Sequence, residues 1–205
     1  MPANNMNTPR LFRTYNVGKY ESFDCAIWEA ARATSAAPTF FKQIIIGIPP
    51  TNEPFVDGGL GCNNPIKQVL DEAELVFPHQ HIACVLSIGT GHITTPGLPA
   101  PSLLNNALPL NVVEALKKIT TECEITAEEM ERRFRSVANV YFRFNVEQGM
   151  QNVTLAQWER LPAVTSHTLH YLRRTKVDEM VAAAVTALRE RREVIPAAHL
   201  SAYSL

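Results

Sequence analysis

The stretch from Ile82 to Ile88 reads Ile-Ala-Cys-Val-Leu-Ser-Ile and is almost wholly apolar. An apolar run this short, bounded by turn residues, predicts a strand. A strand that is apolar on both faces belongs in the middle of a parallel sheet covered by helices. The residues before it fit that placement. Phe55-Val56 is a short apolar strand, and Ile66, Val69, Leu70 and Ala73 then recur at i, i+3, i+4 and i+7, the stripe of one buried helix face. Asn63 or Asn64 caps this helix, Pro65 takes its favoured first position, and Pro78 ends it. Strand, helix, strand in that order is a βαβ unit with a right-handed crossover. The apolar run closes in Gly89-Thr90-Gly91, a strand end. An α/β fold is expected.

The other segments extend this pattern. Leu11 to Val17 predicts a short strand. Ser22 or Asp24 caps a helix from Cys25 to Ala33, which Pro38 stops because the residue before a proline avoids the α region. Lys42 to Ile48 is a β-branched run and predicts a strand. Residues 92–110 hold four prolines and predict a long surface loop. Asn111 opens a helix with Val112, Val113, Leu116 and Ile119 on one side, and a second helix runs from Thr126 to Arg135. Val140, Phe142 and Phe144 alternate with Tyr141, Arg143 and Asn145, a strand with one wetter face. The tail is helical, with Leu172, Val177, Met180, Val181, Ala184, Val185 and Leu188 in one broad apolar stripe. Residues 1–10 are expected to be a disordered or artificial start, 11–195 one domain, and 196–205 a tail.

Charge and cysteine use exclude some functions. The net charge is −1, which argues against nucleic acid as partner because phosphate binding needs a basic face. Cys25, Cys62, Cys84 and Cys123 are widely spaced and form no CxxC, so a zinc site is not expected. Cys25 and Cys84 sit among apolar residues and read as small buried hydrophobes. No signal-peptide pattern opens the sequence and no apolar run approaches a spanning helix, so a cytoplasmic protein is expected. Asn152-Val153-Thr154 fits the glycosylation sequon, to which that expectation gives no weight.

Asp57 leads the candidates for chemistry. It stands at the end of the strand Phe55-Val56, where open α/β sheets place their ligands. Gly58 and Gly59 are expected to adopt backbone angles other residues resist, so that the acid points across the sheet edge. A partly buried carboxylate there could accept a proton from a hydroxyl. By local pattern alone, Asp-Gly-Gly is most simply an ordinary turn. Ser35 lies in an Ala-rich segment without flanking glycines and reads as a packing residue. Of the histidines, His79 with His81 and His167 with His170 form pairs, while His92 and His199 stand apart; none has an acidic or cysteine partner at ligand spacing, so no metal is expected. The run Glu128-Glu129-Met130-Glu131-Arg132-Arg133 reads as a solvated helix face.

Several blocks carry a resemblance. Ile27-Trp28-Glu29-Ala30-Ala31-Arg32-Ala33-Thr34-Ser35-Ala36-Ala37-Pro38-Thr39-Phe40-Phe41 is similar to a signature segment of the patatin-like phospholipases. Phe55-Val56-Asp57-Gly58-Gly59, Asn63-Asn64-Pro65 and Val85-Leu86-Ser87-Ile88-Gly89-Thr90-Gly91 follow in that family's order and at comparable spacing, and the resemblance is good over residues 11–95. It implies a three-layer α/β/α patatin-like sheet. It also implies a serine acyl hydrolase that cleaves fatty acyl esters of phospholipids or lysophospholipids through a Ser–Asp dyad, with no cofactor and no metal. Asp57, with Gly58 and Gly59 as its motif, inherits the role of base. The serine forms an acyl-enzyme that water resolves, and a glycine-rich loop supplies amides to the oxyanion.

The sequence also departs from the family. These 205 residues contain no Gly-x-Ser-x-Gly and no glycine-rich oxyanion loop. Both lie N-terminal to the Trp-Glu-Ala-Ala-Arg-Ala segment in the family. The expectation is therefore an N-terminally truncated domain with no nucleophile in this chain, inactive by itself. Loss of the strands beside Ile82–Ile88 would bare an apolar edge and make the chain poorly soluble. The alternative is a non-catalytic patatin-like fragment that binds lipid or acts as a scaffold. The expected partner is a phospholipid or other fatty acyl ester, with transient contact at a membrane surface.

Overall fold

The structure is a computed structural model that describes residues 1–5, 8–17, 23–38, 40–91, 110–150, 153 and 157–199, with the side chains of 110–121 outside the description. Its elements, in order, are α1 (Ile27–Thr34), β1 (Ile44–Ile46), β2 (Glu53–Phe55), α2 (Gly59–Cys62), α3 (Ile66–Val76), β3 (His81–Ile82), β4 (Val85–Ile88), α4 (Leu110–Arg133), β5 (Tyr141–Phe144), α5 (Leu161–Leu172), α6 (Thr175–Glu190) and β6 (Ile195–Pro196). The class is mixed α/β, as expected, and no barrel closes among the described residues. The chain divides into two units, Met1–Val69 with Ala100–Thr126 and Leu70–Pro99 with Ala127–Leu205.

In the first unit, β1 and β2 pair antiparallel with Ile44 opposite Phe55 and Ile46 opposite Glu53. A six-residue connection joins them, so closing the ladder costs little chain entropy. Phe55 and Ala33 are fully buried, and with Ile46 they form the core of this unit. Phe12 and Phe23 pack on Phe55 at centroid distances of 5.2 and 5.6 Å. The opening residues, expected as a disordered start, lie instead along β2. Pro2 bridges Phe55, Ala3 donates to the Pro54 carbonyl at 2.8 Å, and Met1 is buried. Main-chain pairing to a strand edge needs no particular side chains, which is why the polar start hid it. Leu11 to Val17 forms no strand; Val17 alone holds a bridge position.

Neither Ser22 nor Asp24 caps α1. Its N-cap is Ala26, whose amide donates to the Glu29 carboxylate at 2.7 Å. This is the reciprocal half of a capping box, made without a side-chain acceptor at the cap. The helix stops before Pro38. Ser35 takes the C-cap, and its hydroxyl donates to the Ala31 carbonyl at 2.8 Å, a back-bond that weakens continuation. In α3, Ile66 and Leu70 are buried as expected, but Val69 is 56% exposed. The buried stripe is therefore narrower than the apolar pattern.

In the second unit, the apolar run 82–88 is broken in two. β3 pairs antiparallel with β6, and β4 pairs parallel with β5, Val85 opposite Tyr141 and Ile88 opposite Phe144. The expected βαβ unit from Phe55-Val56 through α3 is not realised, because β2 closes its ladder on β1 and β4 on β5. β4 has one covered face. Val85 and Ser87 are buried, while Leu86 and Ile88 are exposed, Ile88 to 78%. The expected pair of helices at 111 and 126 is one continuous helix, α4. The stripe of its chain segment buries Ala127 and Met130, followed by Phe134. The tail forms two helices, α5 and α6, divided at Arg173 and Arg174. Val177 and Ala184 are buried, whereas Leu172, Val185 and Leu188 are exposed. Arg191 closes α6 in the left-handed region at φ 47°.

The expected loop at 92–109, His92 and the full sequon at 152–154 lie outside the described residues.

Candidate active site

The backbone of Asp57 is pinned from two directions. Its amide donates to the Ala36 carbonyl at 3.1 Å, just past α1, where Ala36 is buried. One residue earlier, Val56 exchanges two bonds with Met1, each of 2.9 Å. Burial pushes the Met1 amine below its ordinary value, against the attraction of Cys62, Asp57 and Glu53. The acid therefore leaves a short, well-anchored strand at a fixed place.

The carboxylate then meets the start of a helix. The Gly59 amide donates to Asp57 Oδ1 at 2.7 Å, and Leu60 N–H donates to the Asp57 carbonyl at 3.3 Å. This side-chain bond two residues on is an Asx turn, and it places negative charge at the start of α2. Asp57 Oδ2 is left without a hydrogen-bond partner among the described residues. The half-buried carboxylate thus has one oxygen tethered and one available.

The two glycines serve a purpose other than the expected one. Gly58 sits in the ordinary helical region at φ −61°, and neither glycine has positive φ. Their role is to leave room. A Cβ at Gly58 would lie 3.3 Å from the Thr34 hydroxyl, and one at Gly59 only 3.1 Å from Asp57 Oδ1 and 3.5 Å from the Asn63 amide oxygen. Asn64 is buried and donates to the Cys123 carbonyl at 3.4 Å, so the Asn-Asn-Pro motif holds the start of α3.

The residues Ser87 to Gly91 do a different job in the second unit. Arg143 donates to the Ser87 hydroxyl at 2.9 Å, and the Gly91 amide donates to Asn145 Oδ1 at 2.7 Å. The Asn145 amide in turn donates to the Tyr171 hydroxyl at 3.3 Å. A Cβ at Gly89 would press on the Asn145 side chain and lie 2.7 Å from the Arg143 guanidinium. Ser87 and Asn145 are both buried, so Asn145 does not lie on the expected wetter face. Sequence reading missed this network. Its signal was the Gly-x-Gly at a strand end, which implies side chains from a neighbouring strand lying close over it.

Other candidates are dispersed. Ser35 is exposed and back-bonded to its own helix. His81 pairs with Glu193 at 3.7 Å. His167 and His170 face residues 147–149. Among the described residues no three His, Cys, Asp or Glu side chains are placed to hold a metal ion. No described helix is long and apolar enough to cross a membrane. The run at Glu128 is only partly solvated, because Met130 within it is buried. The four cysteines form no disulfide, and burial pushes the Cys25, Cys62 and Cys84 thiols up.

The patatin-like phospholipase family model matches residues 2–70, which carry α1, the β1–β2 ladder and the Asp57 motif. Over these residues the chain is similar to the patatin-like phospholipases. The match begins earlier and stops sooner than the motifs alone suggested, and it nearly coincides with the Met1–Val69 part of the first unit. Calcium-independent phospholipase A2-gamma of Rattus norvegicus is 28% identical over 70% of this chain and 18% of its own length. Patatin-like phospholipase 1 of Plasmodium falciparum is 29% identical over 64% of this chain and 22% of its own length. Probable inactive patatin-like protein 9 of Arabidopsis thaliana is 32% identical over 49% of this chain and 28% of its own length. The chain thus spans about a fifth of the length of the first relatives it matches. No solved structure matches it.

Proposed function

We propose that the protein to which this chain belongs is a serine acyl hydrolase that cleaves fatty acyl esters of phospholipids or lysophospholipids, with Asp57 as base. What supports this reading is the tethered carboxylate of Asp57 inside the family-matched segment, with one oxygen bonded to the Gly59 amide. Only a proton acceptor with a fixed position and an unoccupied oxygen can take the proton of an attacking hydroxyl. The serine would come from outside these residues, which contain no Gly-x-Ser-x-Gly. It would attack the ester carbonyl and pass its proton to Asp57. Asp57 would return that proton to the departing alcohol, then take one from the water that attacks the acyl-enzyme and pass it to the serine oxygen as the fatty acid leaves. The dyad needs neither metal nor cofactor. Its substrate would be met at a membrane surface.

The rival is a non-catalytic patatin-like module that binds lipid or acts as a scaffold. It draws on the absence of the serine elbow from this sequence and on a relative named as probably inactive.

The test uses the full protein whose reading frame contains these residues, beside the 205-residue chain. The full protein should label with a fluorophosphonate and release fatty acid from a p-nitrophenyl ester. Asp57→Asn should lower turnover by about a hundredfold or more while leaving the fold intact. Undiminished turnover in that variant removes the base assignment. A reading frame without Gly-x-Ser-x-Gly, with lipid binding but no labelling, leaves the module. The 205-residue chain alone should stay unlabelled.

A further inference from the structure

A cavity of about 260 Å³ opens in the second unit beside the carboxyl ends of β4 and β5. Open α/β structures place ligands at such strand ends. One wall is Glu147, Gln148 and Gly149, which follow β5. The other is His167, His170 and Arg174, from α5 and its exit. None of these residues belongs to the Asp57 site, which lies in the other unit.

The wall is built for this approach. Gly149 has φ +93°, a conformation that side chains rarely adopt, and a Cβ there would strike the His167 ring. The loop can come against the imidazole only because residue 149 is glycine. Arg174 pins the loop to the end of α5 through Glu147 at 2.6 Å. That bond neutralises the one carboxylate of the cavity and uses one of the five guanidinium N–H groups. The remaining polar groups are chiefly donors: the rest of the guanidinium, two imidazoles and the Gln148 amide.

We propose that this cavity binds a compact oxyanion of the phosphate type, free or as a phosphate monoester headgroup. At roughly 30 Å³ per water, the space holds about nine waters, enough for a phosphate ester of glycerol size. A metal cation would need a third ligand beside the two imidazoles, and among the described residues no three His, Cys, Asp or Glu side chains are placed together to hold one. With Arg174 and Glu147 cancelling in charge, an anion is held chiefly by hydrogen bonds from the guanidinium and the imidazole N–H groups. The titratable and charged groups facing the site are His167, His170, Tyr171, Glu147 and Arg174.

The experiment uses the full protein whose reading frame contains these residues, with inorganic sulfate as the probe. Histidine ring resonances are followed by NMR during the titration. The His167 and His170 signals should shift saturably while those of His79 and His81 stay still. His170→Gln replaces an exposed ring, so it should fold as the parent does. It should weaken sulfate about fivefold. Equal drift of all histidine signals, or unchanged binding in His170→Gln, overturns the proposal. Inorganic phosphate and glycerol 3-phosphate form the second arm. Tighter binding of the ester assigns a headgroup, and equal binding assigns the free oxyanion.

Discussion

At Asp57 the side chain has two jobs in one geometry. It caps the turn into α2 through the Gly59 amide, and it presents its second oxygen. The role of Gly59 follows from distance. A methyl group there would lie 3.1 Å from Asp57 Oδ1, so the carboxylate must shift by a few tenths of an ångström. Alanine also favours the helix by up to about 1 kcal/mol, which offsets the crowding. Gly59→Ala is therefore expected to leave the melting temperature within a few degrees while lowering the ester turnover proposed for the full protein; a parallel loss of both would point to misfolding instead. The thiols give a second residue-scale prediction. Burial raises Cys62 and Cys84, so at pH 8 they hold less thiolate than an ordinary cysteine. Their reaction with Ellman's reagent should be slower than that of a model thiol and should accelerate as pH rises above the ordinary thiol range. The folded state holds these protons more tightly than the unfolded chain. Their contribution to stability is therefore full below the unfolded thiol value and fades as pH rises through the folded one. Rates equal to a free thiol at pH 8 would contradict the burial.

At the scale of elements, the β1–β2 ladder supports the site, and Phe55 supports the ladder. Phe55 is fully buried, contacts Phe12 and Phe23, and lies two residues before Asp57. Removing such a ring costs about 3–5 kcal/mol. Phe55→Ala should therefore lower the urea midpoint sharply and expose the Asp57 amide to hydrogen exchange; retained protection there would show that the Ala36 bond alone holds the strand end. Much of this was legible beforehand. The signature helix, the strand into Asp57 and the helix after Pro65 all appear, shifted by one or two residues. Pairing was not legible. Phe55-Val56 and Ile82–Ile88 read as neighbours in one parallel sheet, yet each closes on another partner. Local hydrophobic pattern reports that a residue is apolar, but partner choice depends on connection length and on what else is near the edge.

At the scale of the whole molecule, large apolar side chains remain at the surface of both units. Ile27 is 85% exposed, Trp28 65%, Ile48 80%, Ile88 78% and Trp158 77%. Exposed apolar side chains of this size and number raise the tendency of a chain to associate. The 205-residue chain is expected to bind the dye ANS and to associate at micromolar concentration; a sharp monomer peak in size-exclusion chromatography with no dye binding would count against this. By itself the sequence determined the α/β class, the likeness to the patatin-like phospholipases and the position of Asp57 at a strand end, because periodicity and short motifs are local properties of the chain. Only the tertiary structure decided that Gly58 and Gly59 make room rather than bend the backbone. It alone paired residues 1–3 with β2, brought Arg143 to the Ser87 hydroxyl and set the Tyr171 hydroxyl against the Asn145 backbone amide. Those facts depend on which distant groups approach, and no local window of sequence contains both partners.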